Sequence, residues 1–288
     1  MHKIFYSLQD TFMDSLGFPA TLRRQINTGI FQANTPDLQN TIWLRSVVAW
    51  HSWLSYEQHC IRYLRPGHDG DYEFLERHIP QLDYLINTTV TENFRCDITA
   101  IGGMSCSRDS DSEFSSIQDF AMQKCQALSK PPSAVRLAHI LQHHGLRLSE
   151  MAFSEFSWMP GRLYWQNVDG SHHMAAARFM AGQLGQPVPL TGQLTSYQLN
   201  SLTFSQLLDE WDLILIPAGL VYRVLRDALL RVQCPFGISP APGWESGAER
   251  QFNIIWLERN QTVPARVSRT LAQAGFPSVG QLLLKQGV

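Results

Sequence analysis

The chain has no block of basic residues, no C-x-x-C pair, no internal repeat and no apolar run approaching the length that spans a bilayer. Each absence removes a class of function. Its 23 lysines and arginines stand against 25 acids without clustering, 11 against 15 over residues 1–130 and 4 against 3 over 131–200, so non-specific binding to nucleic acid is not advertised. The five cysteines, Cys60, Cys96, Cys106, Cys125 and Cys234, are scattered and odd in number, which argues against a disulfide framework and for a reduced, cytoplasmic compartment. The first ten residues carry no signal-peptide core, and no membrane partner is expected.

What is present is 44% apolar residues over 288 positions, enough for a sizeable core. The chain turns on Trp165–Leu184. There a short β-like run breaks at Asp169-Gly170, Ser171 offers an N-cap, and Met174, Ala177, Ala181 and Leu184 recur at helical spacing until Gly185. The resulting strand, tight turn and helix N-terminus form a candidate anion site, because the first amides of a helix have no partner within it and carry the positive end of its dipole. Gly170 lets a phosphate approach the backbone. Ser171, His172 and His173 add donors, and Asp169 faces the same point as a base or metal ligand.

Around this stretch the spacing predicts a helix over 134–144, strands near 151–158 and 162–168, and a strand after Pro187. Further strands are expected at 211–217 and 251–257, with a helix over 220–231. Before Lys130 the reading is helical: short helices within 5–26, a long one over 38–65 whose three tryptophans pack into a core, and another over 72–86 beyond the turn 66–71. Residues 98–103 suggest a strand entering a Gly-rich loop without a P-loop lysine, and 105–116 a mobile polar loop. The tail 263–284 reads as helix, Gly turn, helix. A DNA reader with Arg266 and Arg269 on phosphates competes there with plain packing, which the short second helix favours.

Val168-Asp-Gly-Ser-His-His-Met-Ala-Ala-Ala-Arg178 resembles the strand, G-x-x-R turn and helix of the ParB/sulfiredoxin-like superfamily, which includes partition proteins, sulfiredoxins and free-serine kinases. Ser133–Leu146 resembles that family's helix before the first core strand, and Val188–Thr191 falls where a following strand is expected. The resemblance implies an α+β fold: a ParB/sulfiredoxin-like mixed core in a domain 131–288 with a C-terminal α/β extension, behind a mainly helical addition, 1–130. It also implies a nucleotide- or phosphate-binding protein, taking ATP or CTP with Mg²⁺ and hydrolysing the nucleotide or transferring its phosphate. Gly170, Ser171, His172 and His173 would bind the ligand, and Asp169 and His172 would be catalytic.

Two departures matter. Ser171 stands where sulfiredoxins have a reactive cysteine, and His173 where most relatives have arginine, which lowers the number of donors offered to a triphosphate. A DNA-binding protein or nuclease of partition-protein type is the alternative, against which the even charge speaks. A non-catalytic module binding a protein partner is another. His143, His144, His172, His173 and Asp169 are the right ligand types for zinc, but adjacent histidines on one helix diverge, so one of each pair at most is expected to ligate. Ser171 as a hydrolase nucleophile lacks the G-x-S-x-G context.

Overall fold

The computed structural model describes residues 7–34, 41–243 and 252–285. Its strands are β1 (Cys60–Pro66), β2 (Tyr72–His78), β3 (Ile86–Asp97), β4 (Ile101–Met104), β5 (Met151–Phe156), β6 (Leu163–Trp165), β7 (Pro189–Leu199), β8 (Trp211–Pro217), β9 (Phe236–Pro240) and β10 (Phe252–Glu258). Its helices are α1 (Leu8–Ser15), α2 (Ala20–Asn27), α3 (Ile117–Lys124), α4 (Gln126–Ser129), α5 (Ala134–Ile140), α6 (Ser171–Leu184), α7 (Ser201–Glu210), α8 (Leu220–Arg231), α9 (Thr262–Gln273) and α10 (Val279–Lys285). The class is mixed α+β. No helix among the described residues is long and apolar enough to cross a membrane.

The strands form two sheets of five, ordered β2-β1-β9-β10-β8 and β3-β7-β5-β6-β4. The first is antiparallel throughout, whereas the second pairs β5 with β7 and β4 with β6 in parallel. Three apolar clusters separate the layers. One holds Trp50, Trp53, Trp158, Trp211 and Trp256 and joins side chains of both sheets. A second lies between the mixed sheet and α6, and a third packs α2, α8 and α9 on the antiparallel sheet. Helix α6 turns Met174, Ala175, Ala176, Ala177, Met180 and Ala181 inward, so α3, α4 and α5 can pack closely around it. That packing fixes where its N-terminus points.

The long helix expected over 38–65 and the short one over 72–86 do not form. Residues 38–40 lie outside the described residues; beyond them the chain runs in short turns, with Leu54, Gln58 and His59 at positive φ, and then enters β1. The turn 66–71 joins β1 to β2 as a hairpin, closed by Gly67 N–H to the Asp71 carbonyl at 2.7 Å, and its seven-residue ladder outweighs the helical spacing of Tyr72–His78. The tryptophans are buried as expected, but Trp43 enters the α6 cluster while Trp50 and Trp53 enter the inter-sheet one. Strands from either side of Lys130 share both sheets, through β1 with β9, β3 with β7 and β4 with β6.

Three local features are fixed by packing. Gly103 serves close packing, since a Cβ there would stand 2.4 Å from the Tyr164 ring and 2.7 Å from the Ile42 carbonyl. Asp71 of the 66–71 turn pairs with Arg226. In the tail, Arg266 donates to the carbonyls of Leu16 and Gly17 and lies over the Phe18 ring at 4.0 Å, so it clamps the N-terminal helices.

Candidate functional site

Strand β6 delivers the chain to Gly170, which has φ +78° and caps α6 through its backbone alone. Ser171 is therefore the first helical residue, not the N-cap, and no side chain caps the helix. The intrahelical ladder begins with Met174 N–H donating to the Gly170 carbonyl at 2.8 Å, so the amides of Ser171, His172 and His173 precede it. Gly170 sits back to back with Gly145. A Cβ on Gly170 would meet the Gly145 carbonyl carbon at 3.2 Å, and one on Gly145 would meet the Gly170 nitrogen at 3.1 Å. The two glycines let the turn after α5 lie directly against the start of α6.

Asn167, 5% exposed, ties a third segment to this corner. Its Oδ1 accepts from the amides of Ser105 and Cys106 at 3.0 and 3.2 Å, and its Nδ2 donates to the carbonyls of Cys106 and Asp169 at 2.9 and 3.2 Å. The polar tract 105–116, expected to be mobile, is thus held over the turn. It supplies Asp109, whose Oδ2 accepts from His172 Nε2 at 2.6 Å. A carboxylate only accepts, so His172 Nε2 carries a proton and donates, while Nδ1 faces the Ser171 hydroxyl 3.4 Å away. An imidazole anchored in this way is the arrangement of a base acting on a hydroxyl. The Phe120 ring meets its edge at 5.1 Å.

The five expected residues divide into two groups. His172 and Ser171 join Asp109, whereas His173 and Asp169 join the turn after α5. His173 stacks on His143 with ring centroids 3.7 Å apart, His143 lies 4.3 Å from His144, and His144 Nε2 is 3.3 Å from Asp169 Oδ2. Gly170 completes the corner between them. All five line a cleft of about 510 Å³, with Arg108, Lys124, Cys106, Cys125 and His143 among its other walls.

A family model described as a family of unknown function, DUF6685, matches residues 91–286, which is 196 of the 288 residues. The chain belongs to this family. No curated protein and no solved structure matches it. The DUF6685 match contains every residue of the cleft, the second half of β3 and the strands β4 to β10.

In this DUF6685 chain the charges of the cleft set one another. Burial pushes the Asp109 carboxyl up, but the His172 hydrogen bond and the charges of His172 and Lys124 outweigh it and hold it low. The Gly170 amide, then the imidazoles of His143 and His144, hold Asp169 low as well. Burial and the His143 ring lower His173, keeping it neutral. The Cys106 thiol is raised by burial and by Asp169, and Cys125 is pushed up to about 12, so neither offers a thiolate nucleophile near neutral pH. Asn167, Asp109, Lys124 and Arg108 were not read as site residues from the sequence. Asn167 adjoins the Asp169-Gly170 turn and was within reach of that reading. Asp109 and Lys124 carry no local signal, since Asp109 meets the turn through the tract that Asn167 holds over it and Lys124 through the packing of α3 on α6.

Proposed function

We propose that this chain is a phosphate-binding protein of ParB/sulfiredoxin-like type that takes a nucleotide in the cleft at the start of α6. One observation carries the reading: the uncapped N-terminal turn of α6 shares that cleft with the side chains of Arg108 and Lys124. Oriented amides on one wall and two cations among the others are the chemistry of a phosphate site. The volume falls within the roughly 300–1,000 Å³ of small-molecule sites. The order β6, Gly170 turn, α6, then β7 parallel to β5, supports the ParB/sulfiredoxin-like core.

Within this reading Ser171, His172 and His173 bind the phosphate through their amides, and His172, anchored by Asp109, acts at Nδ1 on a hydroxyl group. Mg²⁺, expected with the nucleotide, finds Asp169 at the cleft wall, which suits an ion held mostly by phosphate oxygens and water. Transfer or hydrolysis of a phosphoryl group follows from that arrangement. The even charge and the engagement of Arg266 with Phe18 weigh against the DNA alternative.

Titration calorimetry with ATP, CTP and pyrophosphate, with and without Mg²⁺, tests the proposal. Binding that weakens about tenfold in Lys124→Ala and in Arg108→Ala is expected from loss of one charge-assisted contact each. No binding of any of the three at millimolar ligand removes it.

A further inference from the structure

We infer that His143, His144 and Asp169 form a binding site for a divalent transition-metal ion, zinc in the first instance, at the rim of the same cleft. One ligand atom from each of the three side chains lies within 4.8 Å of the other two. The expectation that neighbouring histidines diverge applies to a helix, and here it fails for a structural reason. Helix α5 ends at Ile140, and the turn that follows lays the His143 and His144 rings 4.3 Å apart on the same side as Asp169. The turn is held by Leu146 N–H to the His143 carbonyl and by Gly145 against Gly170. Two imidazoles and a carboxylate are thereby gathered from opposite sides of one glycine contact.

The spacing fits the ion. Bonds of about 2.0–2.1 Å at tetrahedral angles place ligand atoms about 3.3 Å apart, and His144 Nε2 stands 3.3 Å from Asp169 Oδ2. Both side chains are largely exposed, so they can rotate to close the longer gap to His143. The donor set is nitrogen-rich, which suits zinc and its neighbours better than the all-oxygen shell of Mg²⁺ or Ca²⁺. His143 Nδ1 accepts from the Gly145 amide at 3.1 Å, and its face is covered by His173. Binding exchanges that amide bond for the metal, either directly at Nδ1 or by shifting the ring proton from Nε2 to Nδ1. Three protein ligands leave a position for water or for an oxygen of a bound ligand, which is the pattern of reactive rather than purely structural zinc sites.

The inference does not depend on phosphate binding, and zinc alone is the probe. The full chain, stripped with chelator, is titrated with zinc chloride by calorimetry and with cobalt chloride by visible absorption. One equivalent of zinc is expected to bind at micromolar Kd or tighter, with cobalt giving the bands of a four-coordinate site. His144→Ala and Asp169→Ala are expected to weaken binding at least tenfold, and His139→Ala, an exposed histidine of α5 outside the cluster, to leave it unchanged. Both cluster residues are exposed, and circular dichroism checks that their variants stay folded. No stoichiometric binding, binding that survives both substitutions, or equal loss in His139→Ala overturns the site.

Discussion

His172 Nε2 donates to the Asp109 carboxylate at 2.6 Å and so joins residues 63 positions apart in the chain. The bond does two things together: it aims His172 Nδ1 at Ser171, and it fastens the 105–116 tract to α6. Asp109→Ala is expected to release the tract while leaving both sheets intact. Hydrogen exchange at the amides of residues 107–112 should speed by about tenfold, the equivalent of roughly 1.4 kcal/mol from a hydrogen bond to a charged group. Unchanged exchange would mean that Asn167, with Trp43 on the Ser112 carbonyl and Arg45 on the Ser110 carbonyl, holds the tract without Asp109.

Asn167→Ala removes the acceptor for two amides and the donor to two carbonyls at a buried position. A loss of roughly 2–3 kcal/mol in urea unfolding is expected, because the Cys106 amide loses this partner and the Ser105 amide keeps only the Trp165 carbonyl. Asn167→Asp keeps the acceptor and should lose less.

Gly170→Ala sets a Cβ against the Gly145 carbonyl at 3.3 Å and holds alanine at φ +78°. The left-handed conformation costs about 1–2 kcal/mol by itself, and the contact adds to it. A fall in unfolding free energy of less than about 0.5 kcal/mol would show that the turn relaxes readily, contrary to the glycine-to-glycine packing described above.

Acid should weaken the fold in a defined window. Burial and the neighbouring His143 ring lower the His173 pKa below its ordinary 6.5, so the unfolded chain takes up the proton first. The stability tied to neutral His173 is fully present above 6.5 and is lost as the pH falls below it toward the lowered folded-state value. Urea midpoints of the metal-free chain measured between pH 7.5 and 5 should fall, and His173→Gln should flatten that slope. The lowered carboxyl of Asp109 acts further down: its contribution is present above its ordinary 3.8 and lost as the pH falls through the folded-state value.

Arg266→Ala should loosen α1 and α2, since the guanidinium bonds Leu16 and Gly17 and covers Phe18. Loss of roughly 1–2 kcal/mol is expected from the cation–π contact and the hydrogen bonds together. Proteolysis near residue 17 would report it.

Much of the frame was legible in the residues. Asp169-Gly170 before an apolar run with helical spacing gives a turn and a helix wherever they lie, and the runs 211–217 and 220–231 form β8 and α8 as their patterns require. Local chemistry decided these elements, because each is stabilised mainly by its own periodicity and its own breakers. Residues 60–66 and 72–78 were misread for the converse reason: their apolar spacing suits a helix as well as a strand, and only pairing across the 66–71 hairpin and with β9 selects the strand.

The sequence by itself determined the bend at Asp169-Gly170, the helix behind it, and which side chains α6 could bury; that Gly170 and not Ser171 takes the cap position was decided in the fold. Tertiary structure alone decided what surrounds that bend. Asp109 comes to His172 from a polar tract with no periodicity, and His143 and His144 come to Asp169 because α5 stops short and two glycines permit backbone contact. Such meetings depend on how α3 and α5 pack around α6, a matter of shape and distance in the folded core that no local pattern of residues records.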